Sequence, residues 1–143
     1  MQALRLGEQI VEGHVRSRQY GDHVAEYVSV VRADGTSLPL RVKKCDSFGC
    51  RLRGLTFRRR LGPDEGLLFV EKAESRWGTA IHMFFVFFSI GVVWLDSQGT
   101  VVDAKIARPF APFYAPCGPA RYFLEGPTDL VGWVTKGERL HFA

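Results

Sequence analysis

The chain has 143 residues, 46% hydrophobic and 24% charged, which is the length and composition of one folded domain and excludes an intrinsically disordered segment. Nineteen Lys and Arg against fifteen Asp and Glu leave a formal charge of +4, too small a surplus to demand a nucleic-acid partner. Three cysteines, Cys45, Cys50 and Cys117, form no CxxC pair, and an odd count argues against a disulfide framework or a zinc site. A reduced, cytoplasmic setting is the simpler expectation. The N-terminal MQALRLGEQIVEGH carries Glu8 and Glu12 and lacks the apolar stretch of a signal peptide.

In chain order, residues 9–16 form a weak strand candidate, interrupted by His14 and Arg16. HVAEYVSVV, RADGT and SLPLRVKKC then read as a hairpin with Asp34-Gly35 at its turn. Asp46 to Leu55 has Ser47 as an N-cap and few β-branched residues, which predicts a short helix. GPDEG is a turn and LLFVEK a strand.

The run AIHMFFVFFSIGVVWLD is the most apolar part of the chain. A membrane helix needs about twenty consecutive apolar residues. This run is shorter and carries His82, Ser89 and Gly91 inside it. Its Phe, Val, Ile and Trp favour pleated structure. The expectation is two short strands with a bend between Phe87 and Ser89, and no membrane span. VVWLD, SQGT and VVDAKIA continue as strand, turn and strand. Val93 and Leu95 share one face of the first strand, Val92 and Trp94 the other, so this strand should be covered on both sides.

RPFAPFYAPCGPA is too rich in proline for a central strand and forms a long loop. RYFLE resumes a strand, PTDLVGWV supplies one helical turn, and ERLHF closes with a last strand. Short strands separated by turns make a mostly β fold, a β-sandwich or barrel, in a single domain over residues 1–143.

The order and spacing of several segments carry a resemblance. They are Arg53-Gly54-Leu55, Gly66 to Phe69, Leu95-Asp96, Ala120 to Glu125 and Gly137 to Leu140. Together they resemble the bacterial and archaeal domain-of-unknown-function family 192, over roughly residues 44–142, with the strands and hairpin of residues 1–43 outside it. The resemblance implies a jelly-roll-like β-sandwich with one or two short helices, and it implies no activity. The chain departs from the family pattern at Ser89-Ile90-Gly91, where members usually carry Pro-Ile-Asp, and a carboxylate of an active site could thereby be missing. Many members look exported and this chain does not. The run Arg58 to Arg60 is also heavier in charge than the pattern.

Six groups of residues are candidates for function. His82, in the apolar run, serves either as a proton-exchanging or ligand-orienting imidazole or as a core-edge residue bonded to backbone. Asp96 fits a turn role, bonding nearby amides. Glu125, in an otherwise apolar strand, is either solvent-facing, ion-paired with Arg121 or Arg53, or part of a ligand site. Cys117 with His82 has the residue types of a nucleophile pair, yet APCGPA reads more simply as loop. Arg58, Arg59 and Arg60 beside Phe57 have the composition of a nucleic-acid contact, although no recognition motif accompanies them. Phe113 and Tyr114 in the Pro-rich loop offer stacking surface.

No metal site and no cofactor are expected, because His82, Asp96 and Glu125 lack metal-ligand spacing. The leading expectation is a binding or accessory module. Arg53 and Glu125 orient a small polar ligand or partner segment, His82 hydrogen-bonds it, and Phe113 or Tyr114 stacks on it. The alternatives are a hydrolase-like enzyme using His82 with Glu125 or Asp96, and a basic module docking on nucleic acid. Oligomeric state and ligand identity are left open.

Overall fold

The computed structural model describes residues 26–46, 50 and 53–143. The weak strand expected over 9–16 and the N-cap Ser47 lie outside them. The elements are β1 (Tyr27–Val28), β2 (Val30–Arg32), β3 (Arg41–Cys45), β4 (Glu65–Ser75), β5 (Ile90–Leu95), β6 (Val101–Ala107), β7 (Ala120–Gly126), α1 (Leu130–Trp133) and β8 (Leu140–Phe142). The fold is mostly β, as its many short apolar segments require. Six strands form one sheet in the order β1-β3-β4-β7-β5-β6, and β2 and β8 form a separate pair. The described strands thus divide six and two.

Strand β5, next to the edge strand β6, has all six of its residues buried. It pairs antiparallel with β6 on one side and β7 on the other. Its alternate residues feed two cores, as expected from their period of two. Ile90, Val92 and Trp94 join Leu67, Phe69 and Phe123 on one face, beneath Leu55, Ile81, Met83 and Val86 from the loops. Val93 and Leu95 join Val42, Leu68 and Leu124 on the other, covered by Val30 and Leu140 of the strand pair and Leu130 of α1. Trp94 shows how such a core admits a polar atom: its indole N–H donates to the carbonyl of Thr79 at 2.7 Å, satisfying a donor that would otherwise be stranded.

Three sequence expectations are corrected here. The first hairpin strand is not continuous. Tyr27 and Val28 pair with β3, but Ser29 and Ala143 exchange backbone hydrogen bonds at 2.8 and 3.0 Å, drawing Val30–Arg32 onto β8. The turn stands as expected: Gly35 takes φ +87°, and the Asp34 carboxylate accepts from the Thr36 amide at 2.9 Å.

Of the two strands expected over the apolar run, the second is β5, but residues 80–89 do not form the first. One bridge joins Ile81 to Tyr114, and the ladder resumes only at Ile90. Between them the Met83 carbonyl accepts from both Val86 and Phe110, and Phe85 takes φ +57°, a combination a strand cannot hold. The apolar residues alternate between core and solvent, with Ile81, Met83 and Val86 buried and Phe84, Phe85 and Phe87 outside. Among the described residues no helix is long and apolar enough to cross a membrane.

Finally, Cys45 and Cys50 are joined by a disulfide, with Cα atoms 5.5 Å apart. The cysteine count misled because Cys117 alone is left free. Gly54 donates to the Cys50 carbonyl at 2.7 Å, closing one helical turn in the segment where a short helix was expected.

Candidate functional site

β3 and β4 are the parallel pair of a sheet whose other described pairings are antiparallel. A parallel pairing requires the connection to return along the sheet rather than turn back in a tight hairpin. That connection, residues 46–64, carries Arg53 to Thr56 over the face that also holds Phe69 and Phe123. The loop 80–89 arrives beside it. The result is a cleft of about 210 Å³ lined by Arg53, Leu55, Thr56, Phe69, Glu71, Ile81, His82, Met83, Val86, Ile90, Phe123 and Glu125, among others.

Glu125 is the polar group in the wall of this cleft that chemistry least expects. It lies on β7 between Leu67 of β4 and Val92 of β5, and only 9% of it is exposed. Phe123, two residues along the same face, stacks on Phe69 with centroids 4.5 Å apart. Burial in these surroundings pushes the Glu125 carboxyl up to about 7, with no hydrogen bond or neighbouring charge among the described residues contributing to that shift. Arg121, one of the ion-pair partners considered from sequence, is engaged elsewhere: its Nε donates to the Glu71 carbonyl at 3.1 Å.

His82 stands exposed at the rim. Its Nδ1 accepts the Phe84 amide proton at 3.3 Å, and its ring rests against that of Phe84. In the neutral ring the proton then resides on Nε2, leaving that nitrogen as the donor. Arg53, also exposed, lies on the boundary between this cleft and a wider groove of about 720 Å³. Tyr27, Arg41, Lys43, Arg58 and Glu65 line that groove. Arg41 covers the Tyr27 ring at 4.1 Å, and Arg58 pairs with Glu65.

The structure thus brings Arg53, His82 and Glu125 to one cleft from three separate segments. It places the other candidates elsewhere. Phe113 stacks on Trp77 with centroids 5.8 Å apart. Tyr114 bridges to Ile81, and its hydroxyl accepts the Arg108 amide at 3.0 Å. Neither lines the cleft. Asp96 ends β5 and accepts from the amides of Gln98 and Thr100, both at 2.9 Å, as a turn residue does. Cys117 sits against β6, its amide donating to Asp103 at 2.9 Å, and is not among the cleft residues. Arg59 and Arg60 are exposed beyond Arg58.

Sequence reasoning did not single out Glu71, Arg41 or Lys43. For Glu71 a signal existed: it follows Leu67 and Phe69 at the two-residue period of β4 and so shares their face. Gly91, where a carboxylate was thought missing, lies on the opposite face of β5 from the cleft. A Cβ there would stand 2.6 Å from the Pro127 carbonyl and 3.1 Å from the Leu130 Cβ. A carboxylate at this position therefore points away from Glu125.

With this geometry in place the chain can be set beside known proteins. Residues 29–142 match the family model DUF192, described as Uncharacterized ACR, COG1430, and the chain belongs to that family. The match begins upstream of Lys44 and so takes in β2. Among curated relatives, a UPF0127 protein of Thermococcus sibiricus is 42% identical over 66% of this chain and 59% of its own length. The Pyrococcus furiosus UPF0127 protein is 34% identical over 76% of this chain and 91% of its own. The chain therefore spans about three fifths of the Thermococcus relative. Among solved structures, a Sinorhizobium meliloti 1021 protein, described as a candidate transcription regulator, superposes with a TM-score of 0.70 and 25% identity over 84% of this chain and 95% of that one. A protein of unknown function from Novosphingobium aromaticivorans DSM 12444 superposes at 0.65 with 18% identity, covering 82% and 84%. That second likeness shows the shared fold.

Proposed function

We propose that this protein is a small binding module whose cleft takes a polar ligand. The ligand presents a hydrogen-bond donor to Glu125 and an anionic or carbonyl group to Arg53, with His82 donating from the rim. The observation that supports this reading is Glu125 itself. A carboxyl set between Leu67 and Val92, raised to about 7 by burial alone, weakens the folded state and gains its compensation when a donor arrives in the cleft. Stacking by Phe113 or Tyr114 is not part of the proposal, since neither lines the cleft.

The raised carboxyl also supports a second reading, an enzyme in which Glu125 exchanges a proton near neutral pH with His82 assisting at the rim. Asp96 takes no part, being committed to its turn. The nucleic-acid reading is weakened by the pairing of Arg58 with Glu65, and a structural neighbour's description as a candidate regulator adds no residue to it. The Cys45–Cys50 bond favours an oxidising compartment over the cytoplasmic setting expected from the cysteine count.

Native mass spectrometry of gently purified protein, before and after a denaturing step, tests the proposal. A mass retained by the native chain and lost from Glu125→Leu supports a ligand at this cleft. The bare chain mass for both proteins overturns tight binding. A retained molecule that is chemically altered on incubation moves the assignment to the enzyme reading.

A further inference from the structure

Outside the cleft, the most unusual feature is where the chain spends its strain. Among the described residues, three other than glycine take positive φ, Phe57 at 63°, Phe85 at 57° and Phe110 at 61°, all in a region that bulky side chains rarely enter. All three belong to one aromatic patch. Phe57 stacks on Phe85 with centroids 5.0 Å apart, Phe85 meets Phe110 edge-on at 6.3 Å, and Phe87 meets Phe110 at 5.5 Å. Each of the four rings is 49–60% exposed. Phe57, Phe85 and Phe110 stand at turns from three distant parts of the chain, tied together by backbone bonds. The Phe57 amide donates to the Phe85 carbonyl and the Phe110 amide to the Met83 carbonyl, both at 2.9 Å. An asparagine or glycine would relieve the backbone at any of them, so the large apolar side chain is not there for the turn.

The surroundings are basic. Residues 53–61, 80–90 and 104–119, which form the patch and its flanks, contain no Asp or Glu. They supply Arg58, Arg59, Arg60 and Arg108 close in sequence to Phe57 and Phe110, while Lys105 pairs with Asp103 on β6. Glu65 reaches Arg58, while the side chains of Arg59, Arg60 and Arg108 are exposed. We propose that this face docks on the surface of an anionic phospholipid bilayer. The four phenylalanines enter the headgroup and acyl boundary, and Arg59, Arg60 and Arg108 lie against the phosphates.

Several observations favour a bilayer over other occupants. Rings projecting from turn tips suit a fluid phase that closes around them, which is how interfacial aromatics and amphipathic surfaces are held. Single-stranded nucleic acid needs open ring faces on which bases stack. Here Phe57 and Phe85 occupy one another's faces, with planes only 24° apart. A second copy of the chain would bring the same exposed arginines against each other. The docking is peripheral and involves no membrane-crossing element. It is also independent of the cleft's ligand, so either proposal can fail without the other.

Vesicle co-sedimentation of the full chain tests it. One set of vesicles is phosphatidylcholine alone and the other contains phosphatidylglycerol. The expected result is binding to the phosphatidylglycerol vesicles that weakens with salt. It should fall by about tenfold in the Phe85→Asn/Phe110→Asn double variant, whose polar side chains accept the same φ. The thermal midpoint of that variant should equal or exceed the wild-type value, separating lost docking from lost folding. Arg59→Ser/Arg60→Ser should remove the preference for anionic vesicles. Absence of vesicle binding by the wild-type chain overturns the proposal, as does undiminished binding by the asparagine variant. Concentration-dependent dimerisation, or binding to an oligothymidylate, that is abolished by the same variant would assign the patch to a second copy or to nucleic acid and equally overturn it.

Discussion

Replacing Glu125 by Gln should make the protein more stable at pH 8 and leave it nearly unchanged at pH 4. The sign follows from linkage. The carboxyl is raised from 4.5 to about 7 in the folded chain, so between these values the folded state binds the proton that the unfolded state has released. The stability that the protonated form provides is complete below 4.5 and is lost as pH climbs through 7. A shift of this size, at about 1.4 kcal/mol per unit, corresponds to about 3 kcal/mol of destabilisation once the group is ionised. Gln has the shape of the protonated acid and no charge to desolvate, so the variant escapes the loss. Urea unfolding of both proteins from pH 4 to pH 8 measures it, and taking the difference at each pH cancels the other titrating groups. The variant's advantage should open between pH 4.5 and 7 and level off at about 3 kcal/mol. A difference that stays flat across this window refutes the claim that burial raises the Glu125 carboxyl.

Two further outcomes follow from close contacts and covalent links. Gly91→Ala should lower stability by about 1–3 kcal/mol in denaturant unfolding, because its Cβ would stand 2.6 Å from the Pro127 carbonyl. An unchanged midpoint would mean that the Pro127–Leu130 segment moves aside easily. Thiol titration of the unfolded chain should find one reactive cysteine without reductant and three with it, since Cys45 and Cys50 are joined and Cys117 is free. Reduction should lower stability by about 2 kcal/mol, the chain-entropy value for so short a loop. Three thiols before reduction would remove the bond and the compartment argument with it.

The parts of the fold legible in the sequence were those governed by local rules. VVWLD-SQGT-VVDAKIA announced a buried strand, an Asp-capped turn and a partner strand, because the alternation of Val92 to Leu95 and the reach of Asp96 to the next amides are short-range properties. The turn at Asp34-Gly35 and the single helical turn at Leu130–Trp133 were readable for the same reason. What escaped depended on distant partners. Nothing near Ser29 says that Ala143 will claim it, and nothing between Ile81 and Phe87 says that Phe110 will take the Met83 carbonyl and break the strand. The cleft was legible only as residue types: Arg53, His82 and Glu125 stood out singly, while their meeting is a product of the parallel β3–β4 pairing. The left-handed phenylalanines could not be foreseen, since local sterics argue against each of them.

That parallel pairing divides labour in a way that bears on how such a protein can diversify. The acid sits in the middle of a ladder, where Leu67 and Val92 hold its backbone on both sides and a shift in register would disrupt the sheet. The cation facing the same cleft rides on the returning connection, which is tied to β3 by the Cys45–Cys50 bond but lies outside the strands of the sheet. On the proposed binding reading, insertions, deletions or a new charge pattern in that connection change which molecules are accepted while the carboxyl keeps its place. On that same reading, the connection is where relatives sharing this sheet would differ, and the carboxyl strand is where they would agree.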